Sequence, residues 1–326
     1  MKRLLLGAAA TCLLVAAVAF SAAEAPRGEL AIDVQDRNPW TNLALNNGPE
    51  SFQFAIVTDR TGGHRDAVFR HAVEKLNLLQ PEFVLSVGDL IEGGTEDLAE
   101  IRTQWEEFTS FVEQLQMPFF YVPGNHDISN LVMSEKWRER FGRRYFHFVY
   151  RDVLFLLLNS EDPPGQSGGR LSPEQVAYFK QALAANPDVR WTLVFLHKPM
   201  WTYDELPETG WLEIEDALAD RPYTVFAGHK HRYERFVRNG RLYYMLATTG
   251  GSSEMRGPAY GEFDHVVWVT MQKEGPVLAN LMVEGIFPED VAAVAGPRPE
   301  EPQQPAQPKQ PDKPVAATPS EPAEAP

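Results

Sequence analysis

Five times in this chain a short apolar run stops and a polar residue able to bind a metal follows. Asp59 comes after Phe52–Val57, Asp89 after Phe83–Val87, Asn125 after Pro118–Val122, His197 after Trp191–Leu196 and His229 after Tyr223–Phe226. Two further histidines stand beside them, His126 next to Asn125 and His231 two places beyond His229. Carboxylate, amide and imidazole donors without thiolate suit Mn, Fe, Zn or Mg, and not copper or an iron–sulfur cluster. Two such ions held about 3.5–4 Å apart need a bridging carboxylate and separate donors on each side. A His-x-His pair faces opposite ways within a strand, but in the loop after one both rings can turn toward neighbouring ions.

Such residues act together only if the chain delivers them to one place. In open α/β sheets ligands gather at the carboxyl ends of strands, so five endings of this kind imply one convergent site. The apolar runs named above read as strands, and helices alternate with them. Val68, Phe69, Ala72, Val73, Leu76 and Leu79 give helical spacing over Asp66–Leu79. Leu98–Leu115 is a second helix, and Pro173–Ala185 a third, capped by Ser172 with Glu174 in its first turn. Phe146–Leu158 reads as two strands around Arg151-Asp152, Phe236–Leu246 as a hairpin on Asn239-Gly240, and Val266–Val283 as another hairpin. No internal repeat is visible.

The chain has 326 residues, 44% of them hydrophobic and 23% charged, as in an ordinary globular protein. Its 45 acidic against 30 basic side chains give a net charge of −15, which disfavours a sequence-independent grip on nucleic-acid phosphates. The single thiol, Cys12, lies in the N-terminal apolar run, which excludes a disulfide framework, a thiolate zinc site and a catalytic cysteine. Lys2 and Arg3, the apolar stretch Leu4–Phe20 and the small residues Ser21-Ala22-Ala23 read as a secretory signal over 1–23. The rival reading is a retained anchor, since the run comes close to spanning a bilayer. Cleavage leaves 28 basic against 45 acidic groups, a net −17, and no stable membrane span. The expected location is the periplasm or the exterior. Residues 24–50 form a low-periodicity leader, 51–287 the working domain and 288–326 a Pro-rich tail expected to be disordered, where ten of the 26 prolines fall between Pro297 and Pro326.

The series Asp59, Gly88-Asp89-x-x-Glu92-Gly93, Gly124-Asn125-His126-Asp127, His197 and Gly228-His229-x-His231 resembles the calcineurin-like metallophosphoesterase superfamily. The resemblance implies a four-layer α/β/β/α sandwich, two mixed central sheets flanked by helices, with two divalent metal ions at the strand ends. Position by position, it implies that Asp89 bridges the ions. Asn125, His197 and His229 complete one site, and Asp59 and His231 serve the other. His126 matches the histidine that stabilises the phosphoryl transition state or protonates the leaving oxygen. Glu92 stands where some relatives pair an acid with that histidine, although the Arg that usually follows is missing.

One motif departs from the pattern. The family's first motif is Asp-x-His, and here it reads Asp59-Arg60-Thr61. A neutral hydroxyl is a poor donor, which leaves three outcomes open. The first ion is held weakly by fewer protein ligands, or His64 swings in past Gly62-Gly63, or that site is empty. Arg60 and Arg65, near the same loop, are candidate phosphate binders through the guanidinium fork, and His64 is grouped with them as a substrate contact. His265 and the Thr248–Ser253 loop are weaker candidates for the pocket rim. The reading is an exported phosphoesterase that hydrolyses a small phosphate ester by attack of a metal-activated hydroxide, without nucleic-acid partners. The alternative is a non-catalytic metal- or phosphate-binding protein on a partly decayed scaffold.

Overall fold

Strand and helix boundaries follow from burial. The computed structural model describes residues 32, 36–37, 39–41, 43, 45, 48–165 and 168–286. The signal segment, most of the leader and the Pro-rich tail lie outside the described residues. Described positions before Asn47, where the first compact unit ends, hold no helix or strand. The unit that begins at Asn47 contains everything that follows.

β1 (Phe52–Val57), β2 (Val84–Ser86) and β3 (Phe119–Phe120) run parallel. β10 (His265–Gln272) and β11 (Gly275–Met282) add antiparallel strands on the other side of β1, for a sheet order of β11-β10-β1-β2-β3. The second sheet has the order β4-β5-β6-β7-β9-β8. Its members are β4 (Phe146–Tyr150), β5 (Val153–Leu157), β6 (Trp191–Phe195), β7 (Tyr223–Ala227), β8 (Glu234–Arg238) and β9 (Arg241–Met245). β5, β6, β7 and β9 are parallel, with the edge strands β4 and β8 antiparallel. Both sheets are therefore mixed. Arg151-Asp152 and Asn239-Gly240 form the two hairpin turns of the second sheet with positive φ at both central residues, which matches the right-handed twist of the paired strands.

Three apolar clusters make four layers. Between the sheets pack Phe54, Phe155, Phe195, Phe226 and Val267 among others, with Phe54 and Phe155 edge to face at 5.5 Å. Outside the first sheet lie α1 (Val68–Leu79), α2 (Leu98–Val112) and α3 (Leu131–Phe141), which contribute Phe69, Phe108 and Trp137. Outside the second lie α4 (Pro173–Ala185) and α5 (Trp211–Leu218), which contribute Phe179, Trp211 and Leu218. The α/β/β/α sandwich expected from the sequence is thus the architecture.

Two helices were not anticipated. α3 buries Met133 and Trp137 four residues apart and is capped by Asn130, whose side chain accepts from Met133 N. Its other positions are mostly charged, so the apolar stripe is narrow. α5 has only eight residues, too few to show a period. β3 is also shorter than the Pro118–Val122 run.

Candidate metal centre

The parallel strands β1, β2, β6 and β7 all end at one edge of the sandwich, where the two sheets meet. Asp59 and Asp89 leave the first sheet there, and His197 and His229 leave the second. The His229 N–H donates to Asp59 Oδ1 at 2.8 Å and so ties the two sheets together at the site. Asp59, Asp89, His229 and His231 all adopt positive φ, at 27°, 58°, 74° and 50°. Such backbone costs on the order of 1–3 kcal/mol per residue and persists where function requires the side-chain direction. Gly124 and Gly228 are fixed by close approach: a Cβ on Gly124 would strike the Asp89 carboxylate, and one on Gly228 the Asp59 carboxylate.

The donors fall into two sets that share one residue. Asp89, His197 and His229 each offer an atom within 4.8 Å of the others, and so do Asp59, Asp89 and His231. His197 Nε2 lies 3.1 Å from Asp89 Oδ2, 3.0 Å from Asn125 Oδ1 and 3.2 Å from His229 Nδ1. His231 Nε2 lies 3.4 Å from Asp59 Oδ1. Main-chain carbonyls orient three of the rings, because a carbonyl only accepts and the facing nitrogen must carry hydrogen. His197 Nδ1 donates to Val87 O (3.0 Å), His231 Nδ1 to Ser252 O (2.7 Å) and His126 Nδ1 to Glu92 O (2.5 Å). Their Nε2 atoms are left to face the cluster.

Electrostatics test whether this donor set fits cations. Asp59 and Asp89 are at most 2% exposed, and two buried carboxylates on one centre call for positive charge. Burial alone would raise Asp89, yet the charge and hydrogen bond of His197, with help from His126, hold it well below the usual carboxylate range. Burial would likewise depress His197, but Asp89 and Asp59 push it up to about 9. Burial and the neighbouring His197 charge drive His229 down to about 2, which leaves its imidazole neutral and ready to bind metal. The set fits two divalent ions that share Asp89, and loading them would expel the proton from His197.

Asp127, to which sequence reasoning assigned no role, holds the frame. Its buried carboxylate accepts from the backbone N–H groups of Asp89 (2.9 Å), Leu90 (2.8 Å), Ile91 (3.1 Å) and Gly124 (2.8 Å). Burial and the nearby Asp89 raise it to about 7. Its place as the last letter of Gly124-Asn125-His126-Asp127 was the available signal.

Several expectations change. The Glu92 carboxylate does not pair with the His126 ring, which bonds to the Glu92 carbonyl instead. It clasps the next loop, accepting from Gly63 N (3.2 Å), His64 N (2.9 Å) and His64 Nδ1 (2.7 Å). Burial opposes the shift, but these bonds, those to His64 foremost, together with one from Thr61, bring Glu92 down to about 2. His64 is thereby held outside both donor sets, its Nε2 turned toward Asp66 at 3.8 Å. Arg60 is buried, donates to Leu90 O (3.0 Å) and Glu107 (2.7 Å), and lies over the rings of Phe108 and Phe111, so its fork does not face the site. The Arg65 fork is committed to Asp264 and the Gly251 carbonyl. His265 is fully buried between Ala247 N and Asn280 and lines no rim. The Thr248–Ser253 loop does reach the site, through the Ser252 carbonyl on His231.

Comparison with known proteins agrees with this geometry. The profile described as calcineurin-like phosphoesterase matches residues 52–233. A probable glycerophosphodiester phosphodiesterase, GpdQ, of Arcobacter nitrofigilis is 27% identical over 198 residues, 56% of this chain and 70% of the relative. The mouse serine/threonine-protein phosphatase CPPED1 is 30% identical over 209 residues, covering 55% and 67%. Among solved structures, a purple acid phosphatase from yellow lupin superposes with a TM-score of 0.54 at 15% identity, over 73% of this chain and 52% of that one. GAP50, an anchor in the inner membrane complex of Plasmodium, does so with the same TM-score at 13% identity, over 73% and 86%. At such identities the structures speak for the fold alone, and that fold serves a phosphatase and an anchor alike. The matched profile covers more than half of the chain, from the first strand to the residues just past His231, and the chain belongs to the calcineurin-like phosphoesterase family.

Proposed function

We propose that the protein is an exported, metal-dependent hydrolase of phosphoric esters, with Asp89 shared between two ions. Asn125, His197 and His229 complete one set of ligands, and Asp59 and His231 the other. The observation that carries this reading is the pair of donor sets meeting at one buried carboxylate. Bound there, divalent ions supply a water of near-neutral pKa and stabilise both the attacking and the departing oxygen. Export is supported by the composition of residues 1–23 alone.

The chain's own residues orient and transfer protons. The Glu92 carbonyl takes the His126 Nδ1–H and fixes the ring, whose Nε2 lies 4.0 Å from Asp89 Oδ2 at the partly exposed mouth of the site. A proton carried at that Nε2 makes the ring imidazolium, and it is this proton that passes to the departing oxygen. The Glu92 carboxylate, through Gly63 and His64, sets the position of the loop above the first donor set. The Thr61 hydroxyl is engaged with Gly62 N and Glu92, which leaves Asp59, Asp89 and His231 for the first set against Asp89, Asn125, His197 and His229 for the other. That thinner set favours weaker binding of the first ion. It is also the one observation on the side of a non-catalytic binding protein.

The test is turnover of chromogenic phosphate esters by Mn²⁺-loaded protein and by His126→Ala. The variant is expected to lose about 10²–10⁴-fold in kcat with its metal content unchanged. No turnover of any ester by metal-loaded wild type would contradict the reading and leave the binding protein.

A further inference from the structure

The two relatives differ in substrate, one a glycerophosphodiester phosphodiesterase and the other a protein phosphatase, so the class of ester has to come from the space around the donor sets. Two cavities open on either side of the His229-Lys230-His231 segment. The larger, about 580 Å³, reaches from His231 and Ser252 over a floor of Phe236 and Met245. The smaller, about 300 Å³, reaches from His229 past Gly168, Arg170 and Tyr203. Lys230 lines both. Both volumes are in the range of small-molecule sites.

Most cations around the donor sets are already paired. Arg60 is paired with Glu107, Arg65 with Asp264, Lys198 with Glu161 and Arg232 with Glu234. Arg170 lies 3.8 Å from Glu208. Among the described residues around the donor sets, Lys230 is the exposed cation with no carboxylate within ion-pair distance, its Nζ 5.2 Å from the Tyr203 ring centre. Ions at the donor sets would meet most of the charge of either kind of ester, and Lys230 adds one cation where the two cavities join. The number of arms decides between them, since a phosphodiester has two arms for two cavities and a monoester has one. In the larger cavity the acids are spent too, Glu234 on Arg232 and both Glu254 and Glu262 on Arg256. What remains there is the hydroxyls of Thr202, Ser252 and Ser253 over an apolar floor.

We propose, building on the phosphoesterase reading, that the substrate is a small phosphodiester held at the junction of the two cavities. Lys230 binds its phosphate. A neutral arm with an apolar face and hydroxyl groups fills the larger cavity, and a shorter polar arm fills the smaller. Hydrolysis forms one P–O bond from water and breaks the P–O bond to one arm. The departing oxygen takes one proton, the second proton of the water goes to solvent, and a phosphomonoester carrying the other arm is left.

The experiment compares bis(4-nitrophenyl) phosphate with 4-nitrophenyl phosphate on Mn²⁺-loaded full-length protein. Wild type is expected to favour the diester by about tenfold or more in kcat/KM. Ser253→Trp obstructs the larger cavity and Gly168→Trp the smaller, where a side chain meets nothing within 4 Å of its Cβ. Each is expected to lower the diester-to-monoester ratio by about tenfold. Lys230→Gln should raise KM for the diester by about tenfold with kcat nearly kept, the loss of one charge-assisted contact. A preference for the monoester overturns the proposal and leaves the phosphoesterase reading standing. A diester preference that neither tryptophan changes overturns the placement of the arms. Hydrolysis of neither ester shows that the phosphoesterase reading itself has failed.

Discussion

Arg60 shows how far residue type alone carries. Its sequence neighbours, Asp59 and Thr61, belong to the first motif, and a guanidinium beside metal ligands reads naturally as a phosphate clamp. The backbone at Asp59 has positive φ, however, and the Arg60 side chain departs under the sheet toward Glu107 and Leu90. Arg60→Ala should therefore cost stability and spare the chemistry. Glu107 is about half exposed and returns to water, so the loss is expected near 2 kcal/mol by denaturant titration, with kcat/KM within about twofold of wild type. A tenfold rise in KM at unchanged stability would restore the substrate role. The candidate ligands were legible because each follows a strand end, where direction is dictated by the sheet. Arg60, Glu92 and Asp127 were not, because their tasks depend on which backbone lies 3 Å away, and that is settled only by tertiary packing.

Elements with a wide apolar stripe, such as α1 and α4, and hairpins with turn-specific residues at Arg151-Asp152 and Asn239-Gly240 could be placed from sequence. α3 and α5 could not, one for its narrow stripe and the other for its length. α5 is held partly by charge: Glu215 accepts from Arg238 of β8 through two bonds of 2.5 and 2.8 Å, and from Tyr243 of β9 at 2.7 Å. Burial alone would raise the Glu215 pKa, but the bonds from Arg238 and Tyr243 outweigh it and lower the value below 4.5. A carboxylate whose folded pKa is depressed adds stability above its unfolded pKa and loses it as pH falls through the folded one. Glu215→Gln should therefore lower Tm at pH 7 and flatten the acid limb of the Tm–pH profile below about pH 4.5. Parallel profiles for the variant and wild type would show that the pair does not stabilise the helix.

At the scale of the molecule, two sheets from distant parts of one chain deliver their strand ends to a shared seam. That convergence was the feature most readable in advance, since it needs only the order of strands and the residues that follow them. The chain as a whole is acidic, at −15, and most of the cations near the seam are paired with carboxylates. An anionic ester must approach a negative molecule, and divalent ions would be the largest positive charges in its path. The account therefore stands on the shared carboxylate. Its most direct test is metal stoichiometry by equilibrium dialysis of the protein against saturating Mn²⁺, alongside Asp89→Ala. The account predicts about two ions per chain in wild type and loss of both in the variant, since Asp89 belongs to each donor set. A wild type that binds a single ion, or a variant that still holds two, would contradict it.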